Sequence, residues 1–149
     1  MNLGGAGPAV DPPLSAVEGL WQVARQSAMG TCAVEPSEWS NNGLFFKLVW
    51  DGMQYLNEYT CYSASVSDCS TAPSAYSRFL IRDGQWVAVQ QDATDGNTCM
   101  WEEQRLKLLD SGVLRQIYGT MTVQQGCGPN QSDLATCTNG WIRESHRVN

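Results

Sequence analysis

The 149-residue sequence predicts an all-β domain, an eight-stranded antiparallel up-and-down β-barrel, and three observations carry that prediction. Runs rich in Val, Ile, Leu, Tyr, Trp and Thr recur from Leu20 to Val148 between clusters of Gly, Asp, Asn and Ser, with no long helical pattern between them. The connections between these runs alternate between tight and long. All six cysteines lie in the long connections or at the run ends that feed them. If each strand reverses on its predecessor, the tight turns share one end of the sheet, and the long loops and cysteines share the other. Closing such a meander removes both sheet edges.

The runs, in order, are Leu20–Ala28, Leu44–Trp50, Met53–Tyr62, Tyr76–Arg82, Gln85–Asp92, Cys99–Leu109, Val113–Gln124 and Gly140–Val148. Asp51-Gly52 and Asp83-Gly84 offer two-residue hairpins and Asp110-Ser111-Gly112 a three-residue one, because Gly and Asp tolerate positive φ. The long connections cover 29–43, 63–75, 93–98 and 125–139. Residues 1–18 hold three of the six prolines and lack strand or helix periodicity. They are expected to form a flexible N-terminal tether, with residues 19–149 as the single barrel domain.

A chain of this length folds as one domain and buries roughly 68–70% of its unfolded surface. Nine Lys and Arg against fifteen Asp and Glu give a net charge of -6, which argues against nucleic acid and anionic lipid as partners. No run of eighteen apolar residues exists to cross a bilayer as a helix. The six cysteines include no C-x-x-C pair, so disulfides are favoured over zinc or redox chemistry, and the expected location is secreted, periplasmic or cell-surface. Cys61–Cys69, Cys127–Cys137 and Cys32–Cys99 are the preferred pairs among the fifteen that six cysteines allow.

Gly19-Leu20-Trp21, at the start of the first run, resembles the Gly-x-Trp signature of the lipocalins and their calycin relatives. In that family the Trp plugs the closed end of the barrel and an Arg near the end of the last strand packs across it. The last run, "GWIRESHRVN", carries Arg143 and Arg147, and Arg147 is the better match because the strand ends beside Trp21. The resemblance therefore implies structural roles for Gly19, Trp21 and Arg147. The sequence departs from the family in lacking a Thr-Asp-Tyr signature and a C-terminal helix, and in its additional cysteines. A divergent bacterial lipocalin-like domain, held as a lipoprotein by a lipid anchor upstream of this chain, suits all three departures.

An eight-stranded barrel is either filled by its own side chains or holds one small ligand. Residues flanking a two-residue hairpin share a face. Across Asp51-Gly52 this parity turns Phe46, Trp50, Tyr55, Asn57 and Tyr59 inward; across Asp83-Gly84 it turns Phe79, Ile81, Trp86 and Ala88 inward. Around the third turn, Lys107 opposes Arg115 on the solvent face, leaving Leu106, Leu108, Leu114 and Tyr118 inside with Gln104 and Gln116. Phe46, Trp50, Tyr55, Asn57, Tyr59, Phe79, Trp86, Gln104 and Tyr118 are the candidate ligand-binding residues, a mixture of aromatic and amide groups typical of a small-molecule pocket.

Catalysis, metal binding and cofactors find little support. His146 is the one histidine and faces solvent if Arg147 faces inward; Glu102 and Glu103 point to opposite faces of a strand. Asp92, Asp95 and Asn97 lack the Glu of a calcium loop, and Asn130-Gln131-Ser132 is a glycosylation sequon by pattern. The expected function is that of an extracytoplasmic binding protein, not an enzyme, holding a small, mostly apolar molecule in the barrel. The alternative is a surface interaction module that binds a protein or glycan through disulfide-tied loops, with Trp39 at the rim, on a filled barrel.

Overall fold

The computed structural model describes residues 8–30, 43–74, 77–93, 99–123 and 139–148. One short helix, α1 (Leu14–Val17), precedes eight strands: β1 (Gly19–Gly30), β2 (Phe45–Trp50), β3 (Leu56–Cys61), β4 (Arg78–Arg82), β5 (Gln85–Ala93), β6 (Cys99–Leu108), β7 (Leu114–Val123) and β8 (Asn139–Arg147). Each strand pairs antiparallel with its sequence neighbour, and β8 returns to pair with β1, so the sheet is a closed up-and-down barrel.

Turn chemistry sets the registers. Asp83 and Gly84 both adopt positive φ (53° and 73°), the geometry of a two-residue hairpin, and Arg82 pairs with Gln85. The turn at Asp51 is longer than the two residues its Asp-Gly pair suggests. Asp51 Oδ1 accepts the N–H groups of Met53 (2.8 Å), Gln54 (2.8 Å) and Tyr55 (3.1 Å), and its own N–H bonds Tyr55 O (2.9 Å). Those backbone donors, Gln54 first and then Met53, hold its carboxyl below the ordinary carboxylate range. Trp50 consequently pairs with Leu56 rather than Met53, and a shift by an odd number of residues turns β3 over.

This inversion corrects three expected lumen residues. Tyr55, Asn57 and Tyr59 face outward with Lys47 and Val49, while Leu56 and Glu58 face inward with Trp50 and Leu48. Outside the barrel, Tyr55 lies under the Arg78 guanidinium (4.1 Å), Asn57 Oδ1 accepts from Arg78 Nε (3.1 Å), and Tyr59 lies under Lys47 Nζ (5.2 Å).

The second half of the expected tether is a fixed part of the barrel. Val10, Leu14 and Val17 pack on the core that contains Trp21 and Trp86. The segment also accepts the indole donors of both tryptophans: Trp21 Nε1 bonds Val17 O and Trp86 Nε1 bonds Pro12 O, each at 2.8 Å. Arg147 donates to Glu18 O (2.8 Å) and to Ala16 O, with its guanidinium 4.5 Å above the Trp21 ring. Periodicity gives no sign of this segment because it covers the barrel end with one helical turn and extended chain, paired to the sheet at a single bridge between Asp11 and Gln85.

Gly19 has φ +128°, and a Cβ there would stand 2.7 Å from Arg147 Nη1. Gly19→Ala is expected to cost about 1–3 kcal/mol through backbone strain and displacement of that guanidinium. Trp21→Ala, which removes a side chain only 1% exposed, is expected to cost about 3–5 kcal/mol in denaturant unfolding.

Candidate functional site

The lumen has two halves of different character. At the closed end Val17, Trp21, Val23, Leu48, Leu56, Phe79, Trp86 and Leu114 are buried in one apolar cluster. Phe79 and Trp86, expected ligand contacts, belong to this filled half, and Trp50 meets Trp86 edge to face (5.7 Å, 68°).

Above that cluster the side chains turn polar. Glu58 on β3, Gln116 on β7 and Arg143 on β8 form a closed triangle. Glu58 Oε1 accepts from Arg143 Nη2 (2.7 Å) and Gln116 Nε2 (2.8 Å), while Arg143 Nε donates to Gln116 Oε1 (2.7 Å). The Arg143 and Glu58 side chains are 14% and 8% exposed, so the pair is held largely out of water, where its mutual attraction must offset two desolvation costs. Gln116 reduces that cost by bonding both partners.

Aromatic rings line the same region. The Arg143 guanidinium lies 4.4 Å from the Phe46 ring centroid and 5.7 Å from that of Trp141, and Trp141 stacks on Tyr118 (5.0 Å, 10°). Tyr118, Trp141, Arg143 and Phe46 thus form a continuous column along the lumen wall. Gln104, inward between Ala88 and Tyr118, donates from Nε2 to Ser77 Oγ (2.9 Å).

Three of the expected lumen residues, Phe46, Gln104 and Tyr118, therefore lie with or beside the polar layer. Glu58, Arg143 and Trp141 are functional candidates that sequence reasoning passed over. Parity held the signal for two of them: Trp141 and Arg143 share a face with Arg147 on one strand, and Arg147 was assigned inward. Glu58 was hidden by the length of the Asp51 turn. His146 is exposed, on the opposite face from Arg147.

The outer face is built differently. Glu144 accepts Arg25 Nε on Oε1 and Arg115 Nε on Oε2, both at 2.8 Å. Glu103, fully buried, accepts Arg82 Nη2 and Arg105 Nη2, both at 2.9 Å. Burial pushes the Glu144 carboxyl up, but the hydrogen bonds and charges of Arg115 and Arg25 outweigh it and hold the group below its ordinary value of 4.5.

At the looped end a disulfide joins Cys61 to Cys69. Cys32, Cys127, Cys137, Trp39, Asp95, Asn97 and Asn130 lie outside the described residues, as does the side chain of Cys99, so the other two expected pairings do too.

Fold and lumen together define a closed eight-stranded antiparallel barrel with a filled base and a polar, aromatic-walled layer above it. No protein-family model matches the chain. No curated protein matches it either. Among solved structures it is similar to the monomer form of the Mycobacterium tuberculosis PknI sensor domain, with a TM-score of 0.41 and 15% identity over 87% of this chain and 86% of that one. A likeness of that size carries no argument about function.

The depressed Glu144 value fixes a sign. The native state binds this proton less readily than the unfolded chain, so the group's stabilisation is present above about pH 4.5 and drains away as pH falls through the folded value. Glu144→Gln is expected to lower stability at neutral pH and flatten the acid limb of the unfolding curve. In the lumen, Glu58→Leu leaves Arg143 buried without its counter-charge and is expected to cost about 3–5 kcal/mol in urea unfolding. Adding Arg143→Leu is expected to recover part of that loss.

Proposed function

We propose that the barrel is an extracytoplasmic binding module that holds one small, mostly apolar molecule with a hydrogen-bond-accepting end in the looped half of its lumen. The observation that carries this reading is Arg143. Its guanidinium has five N–H donors, and its Nη1 has no protein acceptor among the described residues although the side chain is 14% exposed. A donor left uncommitted on a partly buried cation is worth most to a ligand that brings the acceptor.

The neighbouring groups suit the rest of such a molecule. Tyr118 and Trp141, only partly buried, offer flat apolar surface, worth roughly 25 cal/mol per Å² removed from water, while Phe46, Gln104 and Ser77 are already buried and act as their fixed surroundings. Glu58 already balances the Arg143 charge, so the accepting end can be neutral. The Cys61–Cys69 disulfide supports an oxidising compartment.

A second reading, docking of a protein or glycan at the rim, draws on the exposed apolar side chains there. Tyr62 (69% exposed) and Val66 (59%) lie within the Cys61–Cys69 loop, and Leu44 (55%) directly precedes Phe45, the strand partner of Cys61. Tyr62→Ser would abolish rim docking and leave lumen binding intact.

Organic extraction followed by mass spectrometry is expected to recover a bound small molecule, and Trp fluorescence is expected to respond to a panel of small amphipathic dyes. Arg143→Lys, which keeps the charge but loses the planar fork, is expected to weaken dye binding about tenfold or more. A barrel that yields no extract and ignores every dye would overturn the reading.

A further inference from the structure

At the closed end a groove of about 340 Å³, lined in part by the inward-facing Leu106 and Leu108, opens between the N-terminal segment and strands β5 to β7. The bridge between Asp11 and Gln85, with Asp11 N–H donated to Gly84 O (2.9 Å), holds that segment in place. Pro12, Leu108 and Ile117 give the groove apolar surface, and Asp11, Arg105 and Lys107 supply its charges. Its size falls at the small end of ligand pockets, roughly 300–1,000 Å³.

The three charges differ in how they are already engaged. Arg105 places Nε (3.2 Å) and Nη2 (2.9 Å) on Glu103 Oε1, a carboxylate it shares with Arg82, and directs Nη1 to Gln85 Oε1, so its position is fixed. Lys107 and Asp11 are exposed, and neither side chain has an ion pair or hydrogen bond among the described residues. Lys107 also stands opposite Arg115, whose guanidinium is taken by Glu144 at 2.8 and 2.6 Å. One ammonium and one carboxylate therefore border the same groove, each without a counter-charge among the described residues.

We propose that this groove is a second binding site, independent of the one in the looped half of the lumen, for a small zwitterion with an aliphatic portion: the chemistry of a free apolar α-amino acid. The ligand carboxylate meets Lys107 and the remaining N–H groups of Arg105, its ammonium meets Asp11, and its side chain rests on Pro12, Leu108 and Ile117. Charge sign selects this class. Asp11 disfavours a simple anion, Lys107 and Arg105 disfavour a simple cation, and only a molecule carrying both charges satisfies both ends.

The test is calorimetric titration of the whole chain with L-leucine, N-acetyl-L-leucine and L-leucinamide. Leucine is expected to bind, and the two analogues, each lacking one charge, to bind about tenfold more weakly or worse. Lys107→Gln and Asp11→Asn are each expected to weaken leucine binding about tenfold while leaving the unfolding temperature unchanged, because both side chains are exposed. Leucine is also expected not to displace a dye bound in the lumen, so failure of either site is visible without the other. Equal binding of all three compounds, indifference to both variants, or no binding at millimolar leucine would overturn the proposal.

Discussion

β1 and β8 pair from Trp21 with Arg147 at the closed end to Gly30 with Asn139 at the looped end, and this seam makes the sheet a barrel. Without it, both strands would present unpaired N–H and C=O groups along an open edge. The seam bends at one irregularity, between Val23 and Arg25, which carries β1 from its short pairing with β2 into its long pairing with β8. At its base the Arg147 guanidinium covers Trp21 and bonds the chain just ahead of β1. The N-terminal segment, the first strand and the last strand are thereby fastened at one point.

Closure also dictates what the interior can hold. A barrel of eight strands is narrow, and here the large side chains Trp21, Phe79 and Trp86, aided by Val17 from below, fill its lower half. The three strands bearing Glu58, Gln116 and Arg143 meet immediately above, where an ion pair and an amide take the place of a further apolar layer. Well-packed apolar residues of similar volume would serve stability at least as well as a buried pair. The polar layer is therefore the part of the lumen least explained by stability alone, which is why the functional reading rests on it.

The outer wall uses its charges differently. Glu103 and Glu144 are each clasped by two arginines, an economical way to keep cations on a strand surface close together without net repulsion. Lys107 is outside both clasps, beside the groove at the closed end. The chain as a whole is acidic, so the distinction between engaged and unengaged cations is more informative here than net charge.

Much of the architecture was legible in the sequence because it depends on local chemistry. The alternation of tight and long connections specified the meander, and Asp83-Gly84 specified a hairpin whose register the structure reproduces. What the sequence could not show lies where several residues compete. At Asp51 one carboxylate captures three backbone N–H groups, lengthening the turn and inverting β3. That inversion removes Tyr55, Asn57 and Tyr59 from the lumen and brings in Glu58. The partnership of Glu58 with Arg143 spans 85 positions of sequence, and Trp86 with Pro12 spans 74. No pattern along the chain reports such contacts, because they depend on which strands closure brings face to face. The sequence by itself determined the strands, the direction of the chain and the residues of the seam; only the tertiary structure decided which side of β3 faces inward, because one turn's hydrogen bonds set the parity of a whole strand.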